Sequence, residues 1–118
     1  MRLFSKTLAS AALVLTMAMG TAAQADLVIK GRASQALHCS AMLFMVSDEL
    51  YSAGYLTKRD RDNAQGAAVH MLSYVPGTND QKLQAMGQRF QKIMHTRTLP
   101  QLMNEFQKTS KWCEKNFL

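Results

Sequence analysis

The chain has 118 residues, 14 of them basic and 8 acidic, a formal net charge of +6 and only two cysteines. That length accommodates a single domain. The basic surplus contains no run of cations interleaved with aromatics, which argues against nucleic acid as a partner. The absence of C-x-x-C and C-x-x-C-H argues against a thioredoxin-like redox site and c-type haem attachment.

The N-terminus reads as a secretory leader. Arg2 and Lys6 provide a basic start, with no acidic residue before Asp26. An apolar stretch runs from Leu8 to Met19, broken by Ser10 and Thr16, and Ala23-Gln24-Ala25 supplies small residues at the cleavage positions. This is the pattern a signal peptidase reads. The stretch is short of the roughly 20 apolar residues a membrane span takes. Residues 1–25 are therefore expected to be removed, leaving a single helical domain over 26–118. That mature chain has 93 residues and 12 basic against 8 acidic side chains, net +4. A periplasmic or secreted location follows, and the lack of any N-x-S/T sequon favours a bacterial periplasm.

Asp26 to Lys30 reads as a short extended lead-in. From Ala33 the pattern becomes helical. Ala36, Cys39, Leu43, Val46 and Leu50 recur at spacings that make one stripe. Met42, Phe44 and Met45 widen the apolar region, so this first helix is expected to be the most buried. Gly54 is placed for a left-handed C-cap, with Tyr55 and Leu56 available for the accompanying apolar contact. Thr57 opens a second helix whose inner face is Ala64, Ala67, Ala68, Met71, Leu72 and Val75, and Pro76-Gly77 ends it. Thr78 with Gln81 forms a capping-box signal for the third helix, with Leu83, Met86, Phe90, Ile93 and Met94 on its apolar face. Thr98 caps the fourth, Pro100 sits in its first turn, and Leu99, Leu102, Met103, Phe106, Ser110, Cys113 and Phe117 line it. Four helices with connections of about two to five residues predict an all-α, up-down four-helix bundle.

The cysteines test that architecture. In an antiparallel bundle the start of the first helix and the end of the fourth share one pole. Cys39 and Cys113 both point inward there by periodicity. A single disulfide joining the first and last helices is the expectation, as suits a small exported domain with a marginal core.

No catalytic constellation stands out. His38 neighbours Cys39, but adjacent helical residues diverge by about 100° and an oxidised cysteine offers no thiolate. Asp48 and Glu49, and Asp60 and Asp62 alternating with Arg59 and Arg61, read as solvated, self-neutralising faces. There is no Gly-rich phosphate loop and no G-x-S-x-G. The expectation is a non-enzymatic protein without a cofactor. Copper handling is the alternative. The mature chain carries Met42, Met45, Met71, Met86, Met94 and Met103, and its histidines His38, His70 and His95 are soft-to-borderline ligands. His38 and His70 are the pair expected at one pole. Methionine at helical spacing also serves as adaptable core filler.

Interaction is the favoured reading. Trp112 falls at the edge of the fourth helix's apolar face and is the candidate anchor. Tyr51, Tyr55 and Tyr74 lie near helix ends. The expected partner is another protein, in an accessory, regulatory, chaperone-like or immunity-type role. An anionic membrane surface and a second copy of the chain stay open as alternatives.

Overall fold

The computed structural model describes residues 29–118. The expected leader and the start of the mature chain at Asp26 lie outside them. Ile29 and Lys30 are the described part of the lead-in; Lys30 is extended, and Ile29 packs against the core.

The elements run α1 (Gly31–Ser40), a π-helical segment π1 (Ala41–Val46), α2 (Ser47–Ser52), α3 (Lys58–Leu72), α4 (Asn79–His95) and α5 (Leu99–Phe117). The first three stack end to end as one rod. Four rods in up-down order make the all-α bundle, with no strand among the described residues.

The periodic stripe of the first rod is its buried side. Ala36, Cys39, Leu43, Val46 and Leu50 are each at most 1% exposed. Met42 is fully buried, while Phe44 and Met45 pack against the core from its edge. The rod lies against each of the other three, which approach one another much less closely. Small residues make the tightest of these contacts. Ala64 and Ala68 on α3 face the rod, and Ser40 Oγ lies 3.4 Å from the Ala68 carbonyl oxygen.

The π-helical segment is a departure from the continuous α-helix that the spacing predicts. Here the Ser47 N–H donates to the Met42 carbonyl, five residues back, instead of four. Such wide turns leave carbonyls in need of donors. Two buried serines bracket the segment. Ser40 Oγ donates to the Ala36 carbonyl at 2.8 Å, and Ser47 Oγ donates to the Leu43 carbonyl at 2.6 Å. Gln65 on α3 donates to the Phe44 carbonyl at 3.1 Å. No buried side-chain polar atom lacks a partner among the described residues.

The caps fall where the sequence places them. Gly54 adopts φ +87°, and Tyr55 N–H reaches the Leu50 carbonyl at 2.8 Å while Gly54 N–H reaches that of Tyr51 at 3.0 Å. That pair of bonds is the Schellman closure. Leu56 supplies the apolar contact, and Tyr55 stays exposed. Thr57, Thr78 and Thr98 each accept a backbone N–H at the start of α3, α4 and α5. The reciprocal capping box is complete at Thr78–Gln81 and Thr98–Gln101.

Two boundary details differ from expectation. Helix α3 ends at Leu72, ahead of Pro76-Gly77, because its exit tightens. Ser73, Tyr74 and Val75 N–H groups each bond three residues back, which tucks Val75 into the core. Leu83, expected on the inner face of α4, is 53% exposed. It lies in the first turn and a half of α4, beside Val69 and Leu72 of α3.

The Cys39–Cys113 disulfide is present. It joins α1 to α5 across a Cα–Cα distance of 5.8 Å and closes a span of 74 residues.

Candidate functional site

Along α1, Ser34, Gln35 and His38 follow at helical spacing on the flank beside its buried stripe. Helix α5 presents Thr109 and Trp112 one turn apart, and α4 contributes Arg89. Together with Gly31 and Cys39 these residues line a groove of about 340 Å³. Cys39 is in its floor, so the disulfide that ties α1 to α5 also sets the spacing of the groove's two walls.

Trp112, 43% exposed, stands at the rim. Its position is braced from behind. Phe117 meets its ring edge-on with centroids 6.1 Å apart, and Tyr74 meets Phe117 at 5.0 Å. Arg32 lies over the Phe117 ring at 4.3 Å and donates to the Asn116 carbonyl at 2.5 Å. Asn116 Nδ2 in turn donates to the Trp112 carbonyl at 2.7 Å. The start of α1 is thereby pinned to the end of α5. Aromatic pairs of this geometry contribute about 0.5–1.5 kcal/mol each beyond their buried area.

His38 is half-buried in the groove. Burial pushes its imidazole below the ordinary value of 6.5, and the Arg89 guanidinium adds to that. Arg97 acts the same way and Glu105 opposes it. At neutral pH the ring is therefore uncharged, with one nitrogen donating and the other accepting. Arg89 makes one long contact, donating to Ser34 Oγ at 3.4 Å. Two larger hollows lie near the α4–α5 turn, one lined by Arg97, Glu105 and Lys108 and the other by Gln91, Lys92 and His95.

Two of the acidic residues singled out by sequence, Asp48 and Asp62, are engaged elsewhere. Asp48 pairs with Arg61 at 2.7 Å, and Asp62 pairs with Lys58 and Arg61 at 2.8 Å each. Hydrogen bonds from Lys58 and Arg61 hold the Asp62 carboxyl below the usual carboxylate range. Arg61 also stacks over the Tyr51 ring at 4.5 Å. These are ion pairs at the surface.

Of the residues singled out by sequence, Cys39, Cys113, His38 and Trp112 meet at this one place. His70 does not join them. It is exposed in the last turn of α3, edge-on to Tyr74 at 6.1 Å. The methionines are used as packing. Met42, Met71 and Met86 are at most 3% exposed, and Met45, Met94 and Met103 rest against the core. Among the described residues no group of three or more His, Cys, Asp or Glu side chains is placed to hold a metal ion. No described cysteine is free. No described helix is long and apolar enough to cross a membrane.

Sequence reasoning missed Ser34, Gln35, Arg89 and Thr109. Ser34 and Gln35 carry a signal, since they precede His38 by one turn on the polar flank of α1. Arg89 and Thr109 carry none, because each joins the groove only through the packing of a separate rod. No protein-family model, no curated protein and no solved structure matches this chain.

Proposed function

We propose that this chain is an exported, non-enzymatic binding protein, and that a partner protein docks on the groove around Trp112. The observation that carries this reading is the tryptophan itself. It is the chain's single tryptophan, it is 43% exposed, and it stands on a rim clamped by the disulfide. A large aromatic held rigid at the edge of a concave surface loses little conformational entropy on binding, which is why such residues dominate interface energetics. Export is supported by the leader pattern of residues 1–25, together with a disulfide of the kind that persists in oxidising compartments.

The copper reading draws less support from the packing, because Met42, Met71 and Met86 are buried in the core and His38 and His70 occupy different surroundings. The test is affinity capture with the oxidised protein as bait. The control baits are Trp112→Ala and the remote surface variant Leu83→Ala. The expected result is one partner retained by wild type and Leu83→Ala but lost by Trp112→Ala, with the thermal midpoints of all three baits matched. Retention that ignores Trp112, or a submicromolar Cu(I) site in a competition titration, overturns the reading.

A further inference from the structure

The charge around Trp112 indicates what kind of partner the groove fits. On α5, Lys108 and Lys115 lie four residues before and three after Trp112 and are exposed; they flank the groove without lining it, and Lys108 shares the neighbouring hollow with Glu105. Across the groove stands Arg89, whose contact with Ser34 is long enough to leave its guanidinium available to a stronger acceptor. No carboxylate lines the groove. The carboxylate nearest along that face of α5, Glu105, is gripped by Arg97 through both of its oxygens, one contact being 3.2 Å. Glu114, two residues from Trp112, points around the helix and lines a different groove with Asp60. A concave site thus combines an aromatic wall, hydroxyl and amide groups from Ser34, Gln35 and Thr109, and one lining cation, Arg89, that makes no ion pair.

We propose that the groove takes an acidic peptide segment of a protein partner, with a carboxylate on Arg89 and an adjacent apolar side chain against Trp112. This rests on the protein-binding role proposed above. The concavity favours a peptide over a membrane plane. The cleft has the volume for one or two side chains, whereas a lipid surface is read by a convex, outward-facing apolar stripe. A carboxylate can bind the guanidinium through two parallel hydrogen bonds, and the flanking lysines steer it in from solution.

The single tryptophan makes the test direct, because its fluorescence reports the site alone. The full chain, expressed for export and purified oxidised, is titrated at low ionic strength with four probes. These are a tryptophan-free peptide alternating Leu with Asp and Glu, its Lys counterpart, sodium acetate, and vesicles of phosphatidylglycerol mixed with phosphatidylcholine. The expected result is a saturable change in Trp112 emission with the acidic peptide only. Affinity should fall about tenfold in Arg89→Gln, as for loss of one charged anchor, and weaken further as salt is raised. Calorimetry on Trp112→Phe should recover most of the affinity that Trp112→Ala loses.

Equal binding of acidic and basic peptides, an Arg89→Gln variant that binds as wild type, or a response to vesicles in place of the peptide overturns the proposal. If the capture experiment yields a Trp112-dependent partner and the acidic peptide does not bind, this inference falls while the protein-binding reading stands. If the peptide binds but no Trp112-dependent partner is captured, the groove's preference for an acidic ligand stands, while the protein-binding reading falls and the assignment to a protein's segment falls with it.

Discussion

The first rod and α4 are built from opposite use of the same kind of sequence. The rod places ten of its 22 residues in the interior, two of them serines, and it touches every other rod. Helix α4 is shorter by only five residues, yet just two of its 17, Met86 and Ile93, are buried. The rod is the core around which the bundle is assembled, and α4 is a cover laid over one side of it. Local opening draws on regions with few buried apolar contacts, so α4 is where the bundle should loosen first. The groove inherits both characters: two of its walls are locked by the disulfide, while the third, carrying Arg89, sits on the looser element.

The largest effect should come from cutting the lock. Replacing Cys39 and Cys113 together by serine frees a span of 74 residues in the unfolded chain. The expected loss is about 4 kcal/mol, read from urea unfolding of the oxidised protein and the double variant. A loss below about 1 kcal/mol would mean that the core alone holds the groove's walls together.

The next contrast is within the comparison itself. Met42 is fully buried in the first turn of π1, whereas Leu83 on α4 is exposed. Met42→Ala should cost about 3 kcal/mol and Leu83→Ala less than about 0.5 kcal/mol in the same assay. Similar losses at the two positions would show that the rod and its cover are equally integral to the core.

A smaller effect of opposite sign is expected on α4. Gly87 sits inside the helix, and an added Cβ there would meet nothing within 4 Å. Gly87→Ala should therefore raise stability by about 1 kcal/mol, seen as a higher unfolding midpoint. Because it stiffens the wall that bears Arg89, it should not weaken peptide binding.

The smallest effect is in pH. Burial and the nearby Arg89 and Arg97, partly offset by Glu105, keep the folded His38 ring below its unfolded value of 6.5. As pH falls through that value the unfolded chain takes up a proton that the folded chain resists. Stability at this site is thus full above about pH 7 and declines as the solution is acidified toward the folded pKa. Urea midpoints measured from pH 7.5 to 5 should fall, and His38→Gln should flatten the slope. An unchanged slope in that variant would assign the decline to other groups.

Much of this architecture is legible in the residue order because its causes are local. The stripe through Ala36, Cys39, Leu43, Val46 and Leu50 sets a helix and its inner side at once, since a 3.6-residue period has only one way to gather those side chains. Thr78 with Gln81 and Thr98 with Gln101 mark helix starts because the groups that satisfy the first free N–H donors lie within three residues of them. Two cysteines admit one pairing, and alternating rod directions bring both to the same pole.

The remaining features depend on contacts between rods. The widened turn at Ala41–Val46 is supported by Gln65 from α3 and by serines that would serve equally well in an ordinary helix, so no local pattern announces it. Leu83 matches the inward period of α4, yet it is 53% exposed, beside Val69 and Leu72 of α3. The groove joins Ser34, His38, Arg89 and Trp112 from three separate helices. Each residue's facing depends on its own helix, but their meeting depends on how those helices are set against one another. That setting is fixed by side-chain packing and one covalent bond, which act between segments far apart along the chain.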